Sequence, residues 1–209
     1  MAINLNVQAN VISIRTDTPT QSDIFLVDTN VWLWQTYTNA SASSRTAPRK
    51  ISEYTRYLSA ARSNGTILSY SGLILAELAH VIEKTEREIY NQRTGSTLKT
   101  KDYRHNYPTE RANVVAEVQS AWSQVEAIAL PVDLTIDDTT TNAALNRFQT
   151  QALDGYDLLI LEAISRSGAG QVRVITDDMD YAVVPGIQVF TSNDSTLCLA
   201  AEQGKLIMR

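Results

Sequence analysis

The sequence predicts an α/β fold, a parallel sheet with helices on both faces, and three observations carry that prediction. Short apolar runs lacking polar alternation, such as Ile24-Phe25-Leu26-Val27 and Val172 to Thr176, read as strands buried on both sides. Segments between them carry apolar residues at helical spacing, as at 51, 54, 57, 58 and 61. Strands that alternate with helices require right-handed crossovers, and those give parallel pairing.

The elements follow in chain order. Residues 1–22 read as an N-terminal arm or an added edge strand, with 23–209 as a single domain. The strand in DIFLVDTN ends at Asp28-Thr29-Asn30, and Val31 to Tyr37 begins a helix with Trp32 and Trp34 available for packing. Residues 38–49 form a Ser/Ala/Thr-rich loop, and Ile51 to Ser63 a helix closed by Asn64-Gly65. Thr66 to Ser69 is a second buried strand, after which Ser71 can cap a long helix through LILAELAHVIEKTEREIY. Residues 91–108 break the period with Gly95 and Pro108 and are basic, so they read as an insertion or a mobile loop. A helix through VVAEVQSAWSQVEAI, a strand at Ala129 to Leu134 and a helix capped by Asp137 or Asp138 come next. Gly155 to Ser167 is helical, Val172 to Thr176 is a strand, and Ile187 to Phe190 is another.

Composition removes several function classes. The 209 residues include one cysteine, Cys198, which excludes a disulfide framework and a thiolate zinc cluster. Two histidines, His80 and His105, leave little material for a histidine metal cage. No apolar run reaches the ~18 residues of a membrane span, and the N-terminus lacks a secretory pattern, so a soluble cytoplasmic protein is expected. The net charge of -5 argues against a protein that coats nucleic acid. Its distribution is more informative. Nine acids lie within 133–180 against three bases, while basic excesses flank that segment at 43–62 and 91–107.

Strand ends are where open α/β sheets gather functional groups. Asp28 closes the first strand, and Asp177, Asp178 and Asp180 follow the strand ending at Thr176. Glu77 sits on an otherwise apolar helical stretch, and Asp157 in the first turn of its own helix. Crowded carboxylates repel one another and stay ionised when a cation neutralises them. Oxygen ligands without Cys or His favour Mg²⁺ or Mn²⁺, ions suited to phosphoryl chemistry through an activated water. Taken singly, each Asp reads equally well as a turn former or helix cap, and Glu77 as part of a polar helix face with His80 and Lys84.

The pieces LVDTNVWL (26–33), the LAEL helix around Glu77, DLLILEAI (157–164), and VITDDMDY with GIQVF (174–190) resemble, in that order, the PIN-domain family of metal-dependent ribonucleases, which includes VapC-type toxins. The resemblance implies a three-layer α/β/α fold with a central parallel sheet, and a carboxylate pocket for Mg²⁺ or Mn²⁺. It implies Asp28 and Asp157 as principal metal ligands, Glu77 as the second acid, and Asp178, then Asp180, as the fourth. Asp154, one turn before Asp157, stands in reserve. Thr29, Asn30 and Thr176 would orient carboxylates or water. The implied activity is cleavage of RNA phosphodiester bonds, with an antitoxin protein as partner if the chain is a toxin, and homodimer formation as the common assembly.

An RNA substrate needs cations around an acidic pocket, and Arg45, Arg49, Lys50, Arg93, Lys99, Lys101 and Arg104 are the candidates, with Tyr103 and Tyr107 available to stack bases. An ordinary solvated surface is the alternative for each. Cys198 is expected to pack as a small apolar residue, and His80 and His105 to play no catalytic part. Two other functions compete: a non-catalytic RNA- or protein-binding module on the same scaffold, and a haloacid-type phosphotransferase. The last wants a second Asp two residues after the first, where this chain has Asn30.

Overall fold

A computed structural model describes residues 5–43, 48–133, 135–166 and 171–209. Among these, six strands form one sheet: β1 (Asn10–Ser13), β2 (Ile24–Val27), β3 (Ile67–Ser71), β4 (Leu130–Val132), β5 (Arg173–Ile175) and β6 (Gln188–Thr191). Their order is β1-β6-β5-β2-β3-β4, and every pairing is parallel. The chain begins its excursions at β2, moves to β3 and β4 on one side, then returns through β5 and β6 on the other. The direction therefore reverses between β2 and β5, which makes the crevice beyond their carboxyl ends the natural ligand position of such a sheet.

Helices α1 (Thr29–Thr36), α2 (Ala40–Ser43), α3 (Pro48–Ser63), α4 (Leu73–Thr94), α5 (Thr100–Asn106), α6 (Pro108–Ile128), α7 (Asp138–Thr150), α8 (Gly155–Arg166) and α9 (Asp194–Glu202) make up the connections and the C-terminal element. The α/β class and the parallel sheet are as the sequence predicts, and the arrangement is consistent with the three-layer form. Trp32, Phe25, Phe190, Tyr54, Leu58 and Ile160 are fully buried in the core. Phe25 on β2 and Phe190 on β6 meet edge to face at 4.7 Å across the intervening strand β5. Arg209 lies over the Phe190 ring at 4.7 Å and bonds Asp17 and the buried Asp23, which also accepts from Arg173. No helix among the described residues is long and apolar enough to cross a membrane.

Several expectations change. The 91–108 segment is mostly helical: α4 continues to Thr94, α5 follows after the short connection 95–99, and α6 begins at Pro108. Gly95 is the left-handed C-cap of α4, with φ of 70°, and Pro108 occupies the first turn of α6, so both residues punctuate helices. Tyr103 is buried against Tyr90, and Tyr107 packs on the same ring, which ties α5 to α4 and removes Tyr103 as a base platform. Within 38–49, α2 and the start of α3 are helical. Residues 10–13 supply the edge strand β1, and Leu5, Val7, Ala9 and Val11 join the common core. Cys198 is exposed on α9, where its thiol bonds Glu202, because Thr196 and Ala200 occupy the buried side of that helix.

Candidate carboxylate site

The crevice between β2 and β5 holds a pocket of about 210 Å³ lined by Asp28, Thr29, Asn30, Leu33, Trp34, Glu77, Val81, Asp154, Asp157 and Asp178. Among the described residues, five acids and no Lys or Arg contribute to this lining. Four separate elements bring them together: the end of β2, the first turns of α4, the start of α8 and the turn after β5.

Asp28 is the N-cap of α1 and is 5% exposed. Its Oδ1 accepts from the Thr29 N–H at 2.7 Å, while Oδ2 accepts from Asn30 Nδ2 and Thr176 Oγ1, each at 2.6 Å. Thr29 also donates its hydroxyl to Glu77 Oε2. Thr176 Oγ1 accepts from the Asp178 N–H at 2.8 Å, so one hydroxyl links the acid after β2 to the acid after β5. Thr29, Asn30 and Thr176 thus all touch pocket carboxylates.

Asp154 Oδ1 accepts from the N–H groups of Tyr156 and Asp157, a cap on the first turn of α8, and its side chain also reaches the pocket. Asp157, 5% exposed, accepts at Oδ1 from the hydroxyl of Tyr181 at 2.6 Å. Tyr181 belongs to a 3-10 helix, Asp180–Val183, and is wholly buried.

The three acids of TDDMD part company. Asp178 lines the pocket. Asp177 turns away to Lys50 at 2.8 Å and the Tyr54 hydroxyl at 3.0 Å. Asp180 does not line the pocket; its N–H donates to Asp178 Oδ1.

Burial pushes the carboxyls of Asp28 and Asp157 well above the usual range. The charges of Glu77 and Asp178 push Asp28 further, the charge of Asp28 acts on Asp157, and bonds from Thr176 and Tyr181 oppose these effects. Glu77 is raised by burial, against the Thr29 bond, and by Asp154 and Asp178. Asp180 is raised by burial and then by Asp178 and Asp154. These acids would gain from a cation, and their oxygens are the donors that Mg²⁺ and Mn²⁺ take. The chemistry of the donor set therefore fits such an ion. No group of three or more His, Cys, Asp or Glu side chains among the described residues is arranged to hold a metal as it stands.

Most of the basic candidates are engaged elsewhere. Arg49 pairs with Glu53, Lys50 with Asp177, Arg93 with Glu110, and Arg104 with the buried Glu83. Lys99 and Lys101 are exposed and form no ion pair among the described residues. Arg45 lies outside the described residues. His80 and His105 are exposed, and neither lines the pocket. Tyr181 is a site residue that sequence reasoning misses. Its signal is its place three residues after Asp178 at the start of an apolar run, where a phenol would need a buried acceptor.

No family model matches the chain, and no curated protein matches it. Among solved structures, the crystal structure of VapBC2 from Rickettsia felis bound to a DNA fragment from their promoter is similar over 79% of this chain and 96% of that chain, at 16% identity and a TM-score of 0.45.

Proposed function

We propose that the protein is a Mg²⁺- or Mn²⁺-dependent endoribonuclease of the PIN type, and that 23–209 is its catalytic domain. The observation that carries this reading is the convergence of Asp28, Glu77, Asp154, Asp157 and Asp178 on one pocket, with no basic residue in its lining among the described residues. Asp28, Asp157 and Asp178 would hold the ion. Asp180, beside Asp178, would contribute charge and could not replace Asp178 in the pocket lining.

When bound, the ion supplies charge neutralisation, polarisation of a phosphodiester oxygen and a lower pKa for water. The remaining work falls to the chain. Glu77 has Oε2 bonded by Thr29, which leaves Oε1 to accept a proton from an attacking water. Thr29, Asn30 and Thr176 hold the carboxylates in place. Lys99 and Lys101 are the basic residues open to phosphate contact, since the other described candidates already hold carboxylates. Within this reading, a toxin role paired with an antitoxin, self-association and a cytoplasmic location complete the proposal.

A second reading, a non-catalytic binding module, is favoured by two observations: no three acids among the described residues are arranged for a metal, and four of the basic candidates are ion-paired. Incubating the purified protein with single-stranded and structured RNAs separates the two. The nuclease reading expects cleavage with Mn²⁺ that stops in EDTA. Inertness with Mn²⁺ and Mg²⁺ across those RNAs would favour the binding module.

A further inference from the structure

Three acids of the pocket, Asp157, Asp178 and Glu77, share one pattern, and Asp154, whose Oδ1 caps α8, shows it as well. Asp157 Oδ1 accepts from the Tyr181 hydroxyl, Asp178 Oδ1 from the Asp180 N–H, and Glu77 Oε2 from the Thr29 hydroxyl. The second oxygen of each, Oδ2 of Asp157, Oδ2 of Asp178 and Oε1 of Glu77, has no hydrogen-bond partner among the described residues. Each carboxylate therefore has one oxygen held by the protein and one left over.

This matters for cation choice. Ca²⁺ takes six to eight oxygens and reaches that number in part through bidentate carboxylates, alongside monodentate ones, whereas Mg²⁺ demands octahedral geometry from single oxygens and retains water. A carboxylate with one oxygen tied to a buried donor can turn toward a bidentate position only by breaking that bond. Of the three donors, the Tyr181 hydroxyl is the one on a wholly buried side chain, and the 3-10 helix that carries it begins two residues after Asp178, so Asp157 and Asp178 both bond to one short segment.

We propose that Tyr181 is a positioning residue that sets cation selectivity: by holding Asp157 Oδ1 it presents a single oxygen to the ion and makes the pocket favour Mg²⁺ and Mn²⁺ over Ca²⁺. Thr29 does the same for Glu77. The inference rests on the metal-dependent reading above and adds to it a residue and a discrimination that the acids alone do not provide.

Calorimetric titration of the full chain with Mg²⁺, Mn²⁺ and Ca²⁺, in wild type, Tyr181→Phe and Thr29→Val, tests it. Tyr181→Phe is expected to weaken Mn²⁺ and Mg²⁺ binding about 10-fold and Ca²⁺ binding much less, so that the ratio of Ca²⁺ to Mg²⁺ affinity rises. Thr29→Val, which keeps the shape of its side chain, is expected to move the ratio in the same direction, and it serves if Tyr181→Phe does not fold. A purely structural role would weaken all three cations in parallel, and a parallel or absent change overturns the proposal. Wild type that binds none of the three would overturn the metal reading itself, and this inference with it.

Discussion

Asp28→Asn is expected to lower metal-dependent RNA cleavage by at least about 100-fold, because it removes the charge of a principal ligand while keeping the shape of the side chain. The fold should persist. Asn is as good an N-cap as Asp, so the bond from the Thr29 N–H can be kept. Where Oδ2 faced Asn30 and Thr176, the new amide can be met by the Thr176 hydroxyl as acceptor and by a turned Asn30. Repulsion with Asp157 disappears at the same time. Initial rates with Mn²⁺, taken alongside urea melts, check both halves. Full activity in a folded Asp28→Asn protein would contradict the assignment.

The second large effect is on stability against pH in the metal-free protein. Asp28 and Asp157 have carboxyls raised in the fold above their unfolded value, chiefly by burial and then by neighbouring charge. The folded state therefore keeps protons that the unfolded chain releases, and stability falls as pH rises through the interval between the two values. Between pH 5 and pH 8 stability should fall, by up to about 1.4 kcal/mol per pH unit for each of the two acids. Asp28→Asn should flatten the curve, and so should saturating Mn²⁺. Below about pH 4 the opposite sign takes over. Asp23 is held below the usual range despite its burial by Arg209 and Thr20, and Glu83 by Arg104, and both contributions are lost as the acids take up protons. Urea midpoints at pH 5, 6, 7 and 8 in EDTA read the effect. A flat or rising curve in wild type would show that the two carboxyls are not raised in the fold as described.

Legibility in the sequence divides along a physical line. Asp28, Glu77 and Asp157 can be singled out because local rules place them: a strand end, a charge in an apolar helix, a first helical turn. Asp137 as the cap of α7 is local in the same way, whereas the cap position of α4 falls on Gly72, and Ser71, the last residue of β3, only accepts from the Leu73 N–H. The pocket's supporting bonds are not local. Thr176 to Asp28 spans 148 positions and Lys50 to Asp177 spans 127, so no window of sequence reveals them. The basic residues fail as a group for that reason. Arg104 and Lys50 look free along the chain, yet in the fold they hold Glu83 and Asp177. The 91–108 segment reads as a loop because Gly95 and Pro108 break a period wherever they occur, and only the packing of Tyr103 and Tyr107 on Tyr90 shows that they end one helix and begin another. β1 is legible only as one of two readings of residues 1–22, since four residues of strand carry little periodicity, and α9 escapes notice because a nine-residue helix carries too little to stand out.

The central claim is that the acids beyond β2 and β5 hold a catalytic cation, and crystals soaked in Mn²⁺ test it most directly. An anomalous difference map should place a peak within coordination distance of both Asp28 and Asp157, with Asp178 beside it and Asp177 still on Lys50. A Mn²⁺ peak elsewhere on the chain, or an empty pocket at a concentration that supports cleavage, would contradict the account.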